Sequence, residues 1–365
     1  MAFPGKDVLR KLLPILCLAL AACGGEQASV TLGAAGPWDA TFGLMNRRGI
    51  ELAIEELNAR YPDRQFTVDF QNDSGSGTRA AQVAQQFVDD PRIVGVVGHV
   101  NSGAMVAAAK VYDGHLPAIA TTASSPDLSG ISPWAFRVIS SDSANGIEIA
   151  RWAARKAITR AAILYENNSY GRGLADAFRT AFRGEVVSMD PIAETAEQDL
   201  GPHIAFLRQA APQLVFVAGT EASGLAFMRE ARRQGLQGLF VGGDGWSSLV
   251  SDPVAAEGAH VGAPFSAGDP RPRAREFVAA FSKKFGMEPD GNAALAYDAT
   301  MIIAEAVREA GADRRKVQGY LRNLRNGRHF EGVTGTIAFT ESGDAQDKQI
   351  VMTRIASGRL LVEAR

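Results

Sequence analysis

The chain has 365 residues, of which 21% are charged and 46% hydrophobic. That is the composition of an ordinary folded protein, and it excludes both a disordered tail and a multi-span membrane protein. A formal net charge of -2 argues against a general electrostatic binder of nucleic acid. Both cysteines, Cys17 and Cys23, lie near the N-terminus. Everything after Cys23 therefore lacks disulfides, thiolate metal sites and cysteine nucleophiles.

Lys6, Arg10 and Lys11 form a short basic region, and an apolar run from Leu12 to Ala22 follows it. The run is shorter than the about 20 residues needed to span a bilayer and fits the hydrophobic region of a secretory signal. It ends Leu20-Ala21-Ala22-Cys23 before Gly24-Gly25, which resembles the bacterial lipoprotein box. The resemblance implies a signal peptide over 1–22, a lipid on Cys23 and a tether over 23–28. The mature chain, with a net charge of -4, would then sit in the periplasm or cell envelope, held to the membrane by lipid. ATP- or NAD-dependent chemistry is not expected there, and no cofactor is expected.

From residue 30 the chain reads as repeated strand–helix units. Val30–Ala34 is a short apolar strand, and Ile50, Ala53, Ile54 and Leu57 mark a helix over 43–60 by their spacing. Phe66, Val68 and Phe70 alternate as in a strand, and a helix over 78–89 stops at Pro91. Ile93–Val97 is wholly apolar, as in a parallel sheet covered on both faces. A helix over 103–112 and a strand over 116–120 follow. A second series predicts helices over 143–156, 171–182, 202–210 and 223–234. Strands fall between them at 161–165, 186–189, 214–217 and 239–242. Residues 273–325 read as mostly helical, with short strands at 335–339, 349–355 and 359–362. Such alternation means α/β with parallel sheets, and two series mean two doubly wound lobes.

Ligands of open α/β sheets bind beyond the carboxyl ends of the strands. Four such ends carry polar loops: Gly98 to Gly103, Thr121 to Pro126, Glu166 to Gly171 and Gly242 to Trp246. They offer hydroxyls and free amides for an anion, a carboxylate for a cation, and aromatic surface.

Several segments together resemble the leucine/isoleucine/valine-binding proteins, the type I periplasmic solute-binding family of ABC importers. They are Gly36-Pro37, Phe42-Gly43, the helix carrying Glu51-Leu52-Ala53 and Ile54 to Asn58, and Gly98 to Gly103. Thr121 to Leu128, Tyr170 to Leu174, Gly242 to Trp246 and Ala296 to Ala299 continue the match in family order. The resemblance implies two Rossmann-like lobes with parallel sheets joined by three crossovers. One lobe would take 29–141 and 267–338, the other 142–266 and 339–365. It also implies a monomer that closes like a hinge on its ligand and docks on an ABC permease in the inner membrane.

In that family's pattern Ser102 falls on the serine that meets the ligand carboxylate. Thr122, Ala123 and Ser124 fall on the loop contacting the carboxylate and amino group. Asp244 falls on an acidic position that contacts the ammonium, with a shorter reach than the glutamate of the leucine-type proteins. Tyr170 and Phe42 fall on covering aromatics, Phe42 without a hydroxyl. Trp38 and Trp246 shape the pocket, the segment Gly219-Thr220-Glu221 lies where the family often has another contact, and Tyr297 and Asp298 brace the cleft. The leucine-type proteins carry a disulfide in the first lobe, and Asn101 stands at one of its positions. Hydroxyls facing Asp244 point to a small zwitterion, an amino acid with an apolar or branched side chain. An amide, urea or aromatic acid, or a sensory role, is the alternative.

Catalysis has little support. The five histidines, His99, His115, His203, His260 and His329, are scattered without metal-binding spacing. No nucleophile elbow or phosphate loop occurs. His99 near Ser102 completes no base–nucleophile–orienter set, so the chain is expected to be a binding protein, without catalytic or metal-ligating residues.

Overall fold

The computed structural model describes Met1 and residues 28–363. The signal segment beyond Met1, most of the tether and the lipidation position Cys23 lie outside those residues. The first series runs β1 (Ala28–Gly36), α1 (Thr41–Arg60), β2 (Arg64–Asn72), α2 (Gly77–Asp89), β3 (Ile93–Gly98), α3 (Ser102–Tyr112), β4 (Ala118–Ala120) and β5 (Ala135–Arg137). Its five strands form one sheet in the order β2-β1-β3-β4-β5, all parallel.

The second series runs α4 (Asp142–Arg155), β6 (Arg160–Glu166), α5 (Ser169–Ala181), β7 (Glu185–Ile192), α6 (Gly201–Ala210), β8 (Leu214–Ala218), α7 (Glu221–Arg233), β9 (Leu239–Gly242), α8 (Pro253–Ala256) and β10 (His260–Ala263). The chain continues through α9 (Pro272–Phe285), α10 (Gly291–Ala310), α11 (Arg314–Arg322), β11 (Phe330–Gly332), β12 (Gly335–Ile337), β13 (Val351–Ala356) and β14 (Arg359–Val362). The second sheet has the order β14-β13-β10-β9-β8-β6-β7. Its β6 to β10 part is parallel. Its β13–β14 edge is antiparallel, a mixed edge that alternation alone did not anticipate. β11 and β12 form a separate hairpin.

Each sheet is covered on both faces. Side chains alternate across a strand, so Ala162 and Leu164 pack with α6, α7 and α8, while Ala161 and Ile163 pack with α4 and α5. In the first sheet Leu32, Val94 and Val97 meet α1, α10 and α11, and Val96 and Ile93 meet α2 and α3. Hence β3 and β8 are buried at every residue. The chain passes between the sheets three times, after β5, β10 and β12. Helices α9 and α10 return to the first lobe, where Phe277 and Phe281 pack with Met45, Leu52 and Tyr297. α10 lies so close to α1 that a Cβ on Gly49 would fall 2.1 Å from the Ala293 carbonyl oxygen.

Strands β5, β10 and β11 escaped the sequence pattern. They are three, four and three residues long, too short to establish a period.

The turn between β11 and β12, just ahead of the third passage, is clamped by Asp298 on α10. Its buried carboxylate accepts the amides of Val333 (2.8 Å) and Thr334 (2.9 Å) and the Thr334 hydroxyl (2.6 Å). Lys348 donates to the Thr334 carbonyl and hydroxyl, both at 2.7 Å. Asp298→Ala removes an acceptor from three donors at once. A loss of about 3 kcal/mol or more of unfolding free energy is expected, measured by urea denaturation.

Candidate functional site

Residues from eight strand ends converge on one cavity of about 100 Å³. Phe42 follows β1, Gly75 follows β2, Ser102 follows β3 and Thr122 follows β4. From the second lobe, Asn168 and Tyr170 follow β6, Glu194 follows β7, Thr220 follows β8 and Asp244 follows β9. Asn292, at the start of α10, completes the wall.

The hydroxyls on the first-lobe side have distinct capacities. Ser102 Oγ accepts the amides of Ser124 and Ser125, both at 3.1 Å. Its lone pairs are engaged, which leaves its hydrogen to donate. Thr122 Oγ1 donates to the Val100 carbonyl at 3.1 Å, which leaves its lone pairs to accept. The wall therefore presents one donor suited to an anion and one acceptor suited to a cation.

On the opposite side the Tyr170 hydroxyl donates to Asp244 Oδ1 (3.1 Å) and accepts the Gly245 amide (3.1 Å). Asp244 is more than nine-tenths buried and meets no cation among the described residues. Burial pushes its carboxyl up to about 6, against the lowering effect of the Tyr170 hydrogen bond. Asp142, wholly buried at the start of α4, is also raised. Burial is the main cause and the Asp244 charge the next, with Ser124 and Arg137 opposing. Between about pH 4 and 6 the folded chain keeps the Asp244 proton that the unfolded chain has released. This group's contribution to stability without ligand falls as pH rises through that interval.

Five of the expected site residues line the cavity: Phe42, Ser102, Thr122, Tyr170 and Asp244. Ala123, Ser124 and Trp246 are not among its lining residues, and all three are wholly buried. Ser124 serves through its backbone: its carbonyl accepts the Asp142 amide (2.8 Å) and the Arg137 guanidinium (2.9 Å). Trp246 packs in the second-lobe core with Phe227, and a Cβ on Gly242 would meet its indole at 2.1 Å. His99 is locked away from Ser102, between Asp73 (2.6 Å) and the Tyr112 hydroxyl (2.9 Å). Tyr297 donates to Glu56 at 2.6 Å, away from the cavity. Asn101 lines the cavity beside Gly75.

Glu194 and Asn292 were missed. Sequence reading stopped the strand at Met189, ahead of Asp190-Pro191. The strand runs on to Ile192, and Glu194 stands just beyond its end. Asn292 opens a helix and follows no strand, so the strand-end rule does not reach it.

Two doubly wound lobes with a polar cavity at the carboxyl ends of their strands define a solute-binding protein of the two-lobed α/β class. The chain belongs to the periplasmic binding protein family, whose model matches residues 30–359. It is 29% identical over 353 residues to "Leu/Ile/Val-binding protein homolog 2" of Brucella abortus (strain 2308), covering 92% of this chain and 93% of that protein. Its structure is similar to an ABC transporter substrate-binding protein from Desulfitobacterium hafniense in complex with Leu. The TM-score is 0.79 at 28% identity, with 92% of this chain and 100% of that chain covered. A solute-binding protein from Rhodopseudomonas palustris BisB5 in complex with 3,4-dihydroxybenzoic acid shares the fold. Its TM-score is 0.80 at 22% identity, with 92% and 96% coverage. The family is one of solute-binding proteins, not of enzymes. Among the described residues no helix is long and apolar enough to cross a membrane, and no group of three or more metal-ligating side chains occurs.

Ser102→Ala strips two buried amides of their acceptor, whereas Thr122→Val deprives one carbonyl of a donor. The first is expected to cost about 2–4 kcal/mol and the second about 1 kcal/mol, by urea unfolding of the ligand-free protein.

Proposed function

We propose that this chain is the extracytoplasmic solute-binding lipoprotein of an ABC importer, capturing the zwitterionic end of a small amino acid. The observation that carries the proposal is the placement of Asp244 and Tyr170 in one cavity with Ser102 and Thr122. A ligand carboxylate takes the Ser102 hydroxyl and the amides at the start of α3, where the helix dipole favours an anion. The ammonium takes Asp244 and the Thr122 oxygen, and Tyr170 covers it. Phe42 and Val100 give apolar surface to the ligand's carbon chain. The names of the Brucella and Desulfitobacterium proteins support a branched-chain amino acid. The likeness to the 3,4-dihydroxybenzoate complex keeps an aromatic acid as the second reading. Such a ligand brings no cation to Asp244.

In this proposal residues 1–22 direct export, Cys23 carries the lipid and 23–28 are the tether. The lobes are 29–141 with 267–338, and 142–266 with 339–365. Contacts from both lobes shift the population towards a closed state, which docks on the permease as a monomer. Changing Cys23 to Ser in the full-length chain is expected to move it from the membrane fraction to the soluble fraction on cell fractionation.

The direct test is thermal unfolding of the chain from Gly24, refolded to remove bound ligand, against the amino acids, short amides, urea and benzoates. A ligand at about 100 times its Kd adds roughly 2.7 kcal/mol, about 5–10 °C for lobes of this size. Shifts with amides or benzoates alone would discard the amino-acid reading.

Affinity should also depend on pH. An ammonium favours ionised Asp244, so lowering pH through about 6 should weaken binding by up to about tenfold per unit. Titration calorimetry reads this, and Asp244→Asn should bind weakly with that pH dependence lost.

A further inference from the structure

The second-lobe wall holds more negative charge than one ammonium matches. Asp244 and Glu194 line the cavity, and among the described lining residues none is Lys, Arg or His. Behind them Glu166 is wholly buried. It accepts the Thr220 amide (2.8 Å), the Thr220 hydroxyl (2.7 Å), the Ser223 hydroxyl (2.8 Å) and the Asn168 amide (3.1 Å). All four donors are neutral. Asn168 also donates to Glu194 at 2.9 Å, so one side-chain amide joins two carboxylates. Desolvation and the Glu166 charge raise the Glu194 carboxyl, and the residue as a whole is exposed to solvent. Independently, Asp244 is more than nine-tenths buried with a phenol and amides for company.

A zwitterion with an aliphatic side chain brings one positive charge for Asp244, and its own carboxylate goes to the first lobe. Glu194, an exposed carboxylate in the cavity wall, is then left without a partner charge, and Glu166 behind it keeps only its neutral donors. The apolar side chains in the wall, Phe42 and Val100, are enough for a methylene stem. They are few for a wholly apolar ligand, since small-molecule sites are mostly apolar.

We propose that the preferred ligand is an amino acid whose aliphatic stem ends in a second cationic nitrogen, received by Glu194 and Asn168. This rests on the amino-acid reading of the site and specifies its far end. The stem packs on carbon, as long cationic side chains do, and the terminal nitrogen makes charge-assisted hydrogen bonds. A neutral side chain is disfavoured because it leaves these carboxylates uncompensated.

The test is titration calorimetry at pH 7.5 on the refolded chain from Gly24, with L-lysine, L-ornithine, L-leucine and L-norleucine. Norleucine has the lysine stem without its terminal nitrogen. The tighter of lysine and ornithine is expected to bind about tenfold or more better than norleucine, the scale of one charge-assisted hydrogen bond. Glu194→Gln should shrink that ratio by about fivefold, by weakening the diamino ligand and relieving the penalty on norleucine, and retained norleucine binding also reports that the variant folds. Leucine or norleucine binding as tightly as the diamino ligands overturns this proposal and leaves the amino-acid reading standing. Binding of benzoate with none of the four amino acids overturns both.

Discussion

The cavity depends on one loop keeping its shape, the segment after β4. Two of its amides and two of its carbonyls are held by side chains. Ser102 Oγ takes the amides of Ser124 and Ser125. Arg137, itself buried, donates to the carbonyls of the same two residues at 2.9 and 2.8 Å. The guanidinium also bonds Ser129 (2.7 Å) and pairs with Asp344 (2.5 Å). A planar fork with five donors suits this task in a way that lysine does not. Because Asp344 lies between β12 and β13, the same side chain ties the loop to the third passage between the sheets. Ser102 thus holds its neighbour strand's loop while presenting its hydrogen to the cavity, so binding geometry and loop stability share one atom.

The two lobes contribute unlike chemistry. The first supplies hydroxyls, amides and a helix N-terminus, features that stabilise an anion without bringing a full positive charge. The second supplies carboxylates. Both follow from the rule that polar loops gather at the carboxyl ends of parallel strands. The division between donor wall and acceptor wall comes from the residues that each loop places there.

Much of this was readable beforehand. The wholly apolar β3 announced a parallel sheet covered on both faces, and the polar turns after β3, β4, β6 and β9 were read as the place where a ligand of such sheets binds. What hid was of two kinds. Short strands such as β5 and β10 carry too few residues for a period. Residues whose role depends on the third dimension also escaped. Trp246 sits in a binding-loop segment, but two glycines, Gly224 and Gly242, open room for its indole in the core. Ser124, expected in the ligand-contacting loop, is wholly buried, and its carbonyl holds Asp142 and Arg137. Glu194 was hidden by a proline that β7 tolerates at its penultimate position. β7 is the edge strand of its sheet, where an absent amide costs no ladder bond on the open side.

The carboxylates also suggest why ligand and closure should be coupled in the proposed cycle. In an open cleft Asp244 and Glu194 face water, and their ionisation costs little. Bringing the first lobe over them removes that water, and an empty closed state must hold these charges uncompensated or take up protons. Burial already raises the Asp244 and Asp142 carboxyls here, the direction this argument requires. A cationic ligand removes it, because the ammonium supplies the missing counter-charge inside the closed cavity. The ligand then has a differential free energy between the two states, which any population shift requires. Its size is set by buried carboxylates rather than by the area of contact. In the proposed cycle the acidic wall would act as a gate as well as a grip, favouring separated lobes until a cationic ligand arrives.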